Sequence, residues 1–230
     1  MNPPTDISSE TQNLQAFPRP NVAVDVAVLS VVSLENRLRL VALATLRGAG
    51  HNEGKWALPG RMLREHDTLE NTAQDAVRLK LGITKLKLTQ LQVFDAPDRD
   101  PRGWVLSVAH VATVPQHIAQ DALSTSQVDL IVIRNNDFVF PNSQRDLPYE
   151  QREILTTAVA NLRRRYLERP DPGKFLPKEF TLRDLRHVHE AVHGKKLQPD
   201  TFRRDMLPHL RETGKVEEGT VGRPARVFTT

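Results

Sequence analysis

Two prolines and a glycine fall within five residues at Arg169-Pro170-Asp171-Pro172-Gly173. Proline lacks the N–H that a helix or a central strand needs, and it pushes the residue before it out of helical geometry, so no regular element runs through this stretch. The pattern in front of it reads as a long amphipathic helix from Tyr149 to Leu167, with Ile154, Leu155, Ala158, Val159, Leu162 and Tyr166 on one face. The chain therefore divides into two units of unequal size, which suits 230 residues better than one domain does. Residues 1–20, polar and holding Pro3, Pro4, Pro18 and Pro20, are expected to form a flexible arm. Residues 21–168 form the larger unit and 169–230 the smaller.

The larger unit alternates strand and helix signals. Val22 to Val32 has the β-branched density of a buried strand, and Leu38 to Ala44 offers a second. Between Thr68 and Leu81 the apolar residues Leu69, Ala73, Ala76, Val77 and Leu81 recur at helical spacing, with Gly82 as the stop. Leu86 to Phe94, Trp104 to Val114 and Asp129 to Arg134 read as further strands, the first two separated by the turn-rich stretch from Asp95 to Gly103. This predicts an α/β unit with a mixed sheet and flanking helices.

In the smaller unit Thr181 caps a helix carrying Leu182, Leu185, Val188 and Val192 and ending at Gly194. A second helix opens at Pro199 or Asp200 and carries Phe202, Met206, Leu207 and Leu210. Gly214-Lys215-Val216 and Ala225 to Thr229 then form two short strands around a loop. Helix, short turn, helix and β-ribbon is the order of a winged helix-turn-helix. The net charge is +4, and the stretch from Asp171 onward holds twelve basic against nine acidic residues, so most of the excess lies in this unit. A basic terminal unit suits an anionic polymer such as DNA.

Composition excludes several classes. The absence of cysteine removes disulfide scaffolds, Cys-based zinc sites and thiol nucleophiles, and it agrees with a reducing cytoplasm. The longest apolar run, Val26 to Val32, is broken by Ser30 and is far too short for a membrane span. No basic stretch followed by an apolar core opens the chain, so no secretory signal is expected.

Leu58-Pro59-Gly60, followed by a helix ending at Gly82-Ile83, resembles the Nudix hydrolase family. In that family a signature loop and helix place glutamates on one helical face, where they hold Mg²⁺ against a pyrophosphate. Aligned on Pro59-Gly60 and Gly82 without a gap, the signature glycine falls at Arg61, its loop glutamate at Asp67 and its arginine at Asp75. The three helical glutamates fall at Ala76, Leu79 and Lys80. Ala, Leu and Lys cannot ligate a hard cation, so the expectation is a Nudix fold with no catalytic residues, no metal and no cofactor.

Further motifs follow in order: Arg47-Gly48, Gly54 to Gly60, Asp98-Arg99-Asp100-Pro101-Arg102-Gly103, Phe180-Thr181-Leu182-Arg183-Asp184-Leu185, and Gly222-Arg223-Pro224-Ala225. Together they resemble the Nudix-related transcriptional regulators of NAD metabolism in bacteria, over roughly residues 20–230. The resemblance implies a Nudix-like domain sensing ADP-ribose or a related nucleotide, and a winged helix repressing NAD biosynthesis or salvage genes as a homodimer on a palindromic operator. It further implies a bacterial cytoplasmic protein associated with the nucleoid. Two alternatives are an active ADP-sugar pyrophosphatase with rearranged metal ligands and a related regulator that senses a sugar.

Arg47, Arg99 and Arg102 are the candidates for gripping a diphosphate, because guanidinium forks match phosphate oxygens bidentately. The alternative is that arginines in Gly- and Pro-rich loops simply face solvent. Trp56 and Trp104 offer rings for an adenine, or else serve as core or rim residues. In the smaller unit Thr201, Arg203 and Arg204 sit near the start of the second helix, where a recognition helix meets the major groove. Lys195 and Lys196 in the preceding turn are placed to hold the DNA backbone. Arg223 and Arg226, in a Gly-Arg-Pro context, suit a narrow minor groove. His189-Glu190-Ala191-Val192-His193 fits the zinc-protease pattern, with Glu212 a conceivable third ligand. A short terminal helix leaves little room for such an active site, and helix packing is the preferred role for both histidines.

Overall fold

The computed structural model describes residues 17–135, 137–217 and 224–230. Strand β1 (Asn21–Leu34) turns back through Glu35 and Asn36, both at positive φ, into β2 (Arg37–Leu46). Two consecutive left-handed residues match the twist of a tight antiparallel hairpin. There follow β3 (Trp56–Ala57), β4 (Gly60–Met62), α1 (Leu69–Leu81), β5 (Thr89–Phe94), β6 (Val105–Thr113), α2 (Gln116–Ala122), β7 (Val128–Arg134), β8 (Asp137–Val139) and α3 (Gln151–Glu168). The described strands form one sheet in the order β5-β6-β1-β2-β7-β8, with β3 paired to β2 and β4 to β1. β1 and β6 run parallel, while the β1–β2, β2–β7 and β5–β6 pairs run antiparallel.

The near-continuous apolar run of β1 is explained by burial on both faces. On one face Val24, Val26, Val28 and Leu43 pack against Ala73, Ala76, Val77 and Leu81 of α1 and Ala119 of α2. On the other, Leu29, Leu40, Ala42 and Ile131 meet Ile154, Leu155, Ala158 and Leu162 of α3. Thr68 accepts the Asn71 backbone N–H as the N-cap of α1, and Gly82 closes that helix at φ 71°.

The smaller unit contains β9 (Phe180–Thr181), α4 (Leu182–His193), α5 (Pro199–Met206), β10 (Arg211–Val216) and β11 (Arg226–Thr229), with a sheet ordered β10-β11-β9. Thr181 and Asp184 form a reciprocal capping box at the start of α4, and Gly194 ends it at φ 69°. Phe180, Leu185, Phe202 and Phe228 make its own core. The two units are nevertheless continuous, because Val188 and Val192 of α4 belong to the apolar cluster beneath α3. Asp171 holds the connection. It accepts the Tyr166 hydroxyl at 2.5 Å and the backbone N–H groups of Phe175 and Leu176 at 3.2 and 2.9 Å.

The expected helices and strands are all present, three of them clearly shortened at one end. β5 begins at Thr89 rather than Leu86 and contains an irregularity between Gln90 and Val93. α3 begins at Gln151 because Tyr149 and Glu150 take positive φ, and α5 ends at Met206, where Pro208 leaves Leu207–His209 as a 3-10 turn. The short elements β3, β4, β8 and α2 carry too few residues to show a period, so no pattern announced them. Among the described residues, no helix is long and apolar enough to cross a membrane.

Candidate functional site

A cleft of about 190 Å³ opens where β1, β4, the end of α1, the Arg99–Arg102 loop and the start of α3 converge. Its walls bring together Arg47, Arg99 and Arg102 with Asp25, Arg61, Lys80, Tyr149 and Gln151. Five basic side chains against two carboxylates, Asp25 and Asp100, make it an anion-seeking site.

At its floor Asp25 accepts hydrogen bonds from Ser107 Oγ and Gln151 Nε2, each at 2.6 Å, and lies 3.6 Å from Arg99 Nη2. Burial pushes its carboxyl above the usual carboxylate range, against the pull of Ser107, Gln151 and Arg99. A side chain at Gly60 would collide with Asp25 Oδ1, which is why the Leu58-Pro59-Gly60 turn ends in glycine. Gln151 also accepts the backbone N–H of Leu58 at 2.8 Å, tying the same turn to α3.

The three arginines singled out from the sequence have different surroundings. Arg99 is buried: its Nε donates to Glu150 at 3.0 Å and its Nη2 to the Tyr149 carbonyl at 2.8 Å. Tyr149 and Glu150 both have positive φ, 60° and 59°, so Arg99 pins a strained turn at the rim. Arg102 forks onto Asp100 at 2.9 and 2.6 Å and lies over the Tyr149 ring at 5.1 Å. Arg47 lies over the same ring at 5.0 Å and donates to the His51 carbonyl, with no carboxylate partner among the described residues. Burial and the neighbouring Arg47 hold the Lys80 ammonium below the ordinary lysine range, while Asp25 pulls the other way.

Ala76 is buried in the core, Leu79 is exposed, and Lys80 alone of the three aligned positions faces the cleft. Arg61 and Asp75 meet in an ion pair at 2.7 Å. The residues present do not fit a magnesium centre. Asp25 is already bonded to Ser107 and Gln151 beside Arg99, and its neighbours on the cleft wall are cations. Trp56 lies in the core and does not line the cleft, and its indole N–H has no hydrogen-bond partner among the described residues. Trp104 is half exposed on a separate depression beside Asp95 and Pro97.

Asp25, Tyr149, Gln151 and Lys80 were not singled out as ligand contacts. A lone acid inside the Val22–Val32 run was a usable signal for Asp25. Nothing local marks Tyr149 or Gln151, which arrive from more than a hundred residues away.

In the smaller unit Thr201, Arg203 and Arg204 lie exposed on α5, opposite Phe202, which is buried. Lys195 is exposed in the α4–α5 turn; Lys196 beside it pairs with Glu190 at 3.0 Å. Arg226 pairs across the ribbon with Glu212 at 3.2 Å. Arg223 lies outside the described residues. His189 is a packing residue: Nε2–H donates to the Pro170 carbonyl at 2.6 Å, and its ring meets Tyr166 and Phe202 edge-on, each at 4.9 Å. Burial holds its imidazole down to about 4.

A mixed sheet between two helical layers, with a phosphate-sized cationic cleft and a β-flanked helix-turn-helix, defines a Nudix-like domain fused to a winged helix. Residues 172–230 match the family model described as the NrtR DNA-binding winged helix domain. The chain is 28% identical over 204 residues, 88% of its length and 76% of the relative's, to an ADPR responsive transcriptional repressor NtrR of Acinetobacter baylyi. Its fold matches the crystal structure of Shewanella oneidensis NrtR complexed with a 27mer DNA at TM-score 0.72 and 26% identity, covering 90% of this chain and 92% of that one. An ADP-ribose pyrophosphatase of Methanocaldococcus jannaschii is a more distant relative, 27% identical over 46% of this chain and 57% of its own. The resemblance to Nudix-related regulators that the motifs indicated is thus borne out.

Proposed function

We propose that this protein is a ligand-responsive transcriptional repressor whose cleft holds ADP-ribose or a related NAD-derived nucleotide without a metal and without cleaving it. The observation that carries this reading is Lys80, a cation at the cleft wall where a Nudix hydrolase needs a carboxylate. A fixed ammonium beside Arg47 offers a diphosphate the countercharge that Mg²⁺ supplies in a hydrolase, but it cannot ligate and activate a water. The likeness to an ADP-ribose-responsive repressor and to a regulator crystallised on DNA supports both halves of the reading.

In this reading α5 enters the major groove with Thr201, Arg203 and Arg204, and a two-fold dimer meets a palindromic operator of NAD biosynthesis or salvage genes in the bacterial cytoplasm. Helix α3 links the two sites. Tyr149 and Gln151 stand at its start against the cleft, and Tyr166 near its end packs on His189, which packs on Phe202 of α5. A nucleotide that draws Arg47 and Arg102 off Tyr149 acts on one end of this rod and is felt at the other, provided it binds the two arrangements with different affinity.

Calorimetry with ADP-ribose in EDTA, alongside an assay for AMP release in Mg²⁺, tests the cleft. Binding without turnover is expected, and enzyme-like AMP release overturns the reading. Recovery of a discrete palindromic duplex from a random-sequence library, with affinity altered by ADP-ribose, tests the DNA half. Light scattering on the recovered complex gives the protein stoichiometry.

A further inference from the structure

A second cationic surface lies away from the cleft, in a groove of about 630 Å³ between the two units. One wall belongs to the Nudix-like sheet. Arg37 and Arg39 come from the start of β2, and Arg134 from the end of β7, beside the tips of the β1–β2 and β7–β8 hairpins. The other wall is the C-terminal end of α4 and the turn after it, with Lys195 and Lys196. Glu190 is the one carboxylate in this lining, and it is already engaged by Arg186 at 2.7 Å, Lys196 at 3.0 Å and the Leu197 backbone N–H at 3.1 Å. Arg37, Arg39, Arg134 and Lys195 have no ion pair among the described residues.

Four cations without an ion-pair partner among the described residues gather around one groove and repel one another, with Glu190 the single carboxylate in its lining. Such an arrangement is completed by a polyanion, whose condensed counterions are released as the cations take their place. Arg37 and Arg39 are two residues apart on one strand, so they project from the same face in a row rather than converging on a point. A row suits a chain of phosphates better than a single small anion. The row also adjoins the α4–α5 turn, which leads directly into the helix carrying Thr201, Arg203 and Arg204.

Resting on the repressor reading above, we infer that the Nudix-like unit is itself part of the DNA-binding surface. Arg37, Arg39 and Arg134 grip backbone phosphates of the duplex that α5 reads. The contacts carry no sequence information, so they set affinity and register while α5 sets specificity.

The test uses the full chain and the tightest duplex recovered from the random-sequence library. The triple variant Arg37→Gln, Arg39→Gln, Arg134→Gln is expected to bind it ~10- to 100-fold more weakly at low salt. The slope of log affinity against log salt should become shallower by about two to three, since each phosphate contact contributes about 0.9. The ranking of mismatched duplexes should stay as in the wild type. A variant with unchanged affinity and slope overturns the inference, as does one that keeps DNA binding but loses ADP-ribose binding, which would make the groove a nucleotide site. Retained ADP-ribose binding and an unchanged thermal melt show that the triple variant folds; otherwise the three single variants, each expected to flatten the slope by about one, replace it. Failure of the wild type to bind any duplex would sink the repressor reading itself, a separate outcome.

Discussion

The cleft of the Nudix-like unit and the outer face of the winged helix are both basic, yet their charges are managed in opposite ways. In the cleft Arg99 is buried and makes contacts with Glu150, Asp25 and a backbone carbonyl, while Asp25 is hydrogen-bonded by Ser107 and Gln151. On α5, Arg203 and Arg204 are exposed, and the ion pair between Arg204 and Asp205 at 3.4 Å lies in solvent. Buried charges must be satisfied within the protein, so they fix geometry; exposed ones cost little to leave open and are free for a partner. A pocket for one small molecule needs the first arrangement, and a surface for a long polyanion needs the second.

That contrast is most exposed at Arg99. Arg99→Ala would leave Asp25 and Glu150 without their cation and release the Tyr149–Glu150 turn, at a cost of about 3–5 kcal/mol of stability in denaturant unfolding. Arg203→Ala should fall within about 0.5 kcal/mol of wild type in the same measurement. Comparable losses from both variants would erase the distinction.

His189 gives the next largest effect and concerns the junction. Its imidazole titrates near 4 in the folded protein and near 6.5 when unfolded, so the unfolded chain binds the extra proton first. The stability it contributes is fully present above about pH 6.5 and is lost as pH falls toward 4, by about 3 kcal/mol at roughly 1.4 kcal/mol per unit. His193, held down by burial, Lys195 and Arg163, adds in the same direction. Unfolding followed from pH 7.5 to 4.5 should show the slope, and His189→Gln should flatten it. An acid-insensitive wild type would mean that the junction opens easily.

Arg203→Ala should lower affinity for the selected duplex by about 1–3 kcal/mol, read by fluorescence anisotropy, with ADP-ribose binding unchanged. Parallel loss of nucleotide binding would argue that the two surfaces are not separable. The smallest effect sharpens the cleft's own chemistry. Lys80→Glu should weaken ADP-ribose binding in EDTA about tenfold by calorimetry and leave stability nearly intact. Unaltered affinity would remove Lys80 from the site.

Much of this architecture is legible in the sequence, for a specific reason in each case. The periodic run from Leu69 to Leu81, the Thr181 cap with Asp184 and the stops at Gly82 and Gly194 are local signals, and local backbone chemistry decides them. The cleft was legible only in part. Arg47, Arg99 and Arg102 stand in recognisable loops, but whether each faces a ligand or is spent inside depends on Tyr149 and Glu150. Trp56 shows the same limit, since a tryptophan next to a Leu-Pro-Gly turn reads equally well as a ring for a base or as core.

The sequence by itself determined the longer elements, the caps of α1 and α4 and the break at Pro170–Gly173, because each is fixed by residues a few positions apart. Only the tertiary structure decided that Arg61 and Asp75 offset one another, that Asp25 meets Gln151 across the sheet, and that β2 and β7 place three arginines beside the α4–α5 turn. Charges act through space, and the distances that set their strength exist only once the chain has closed on itself.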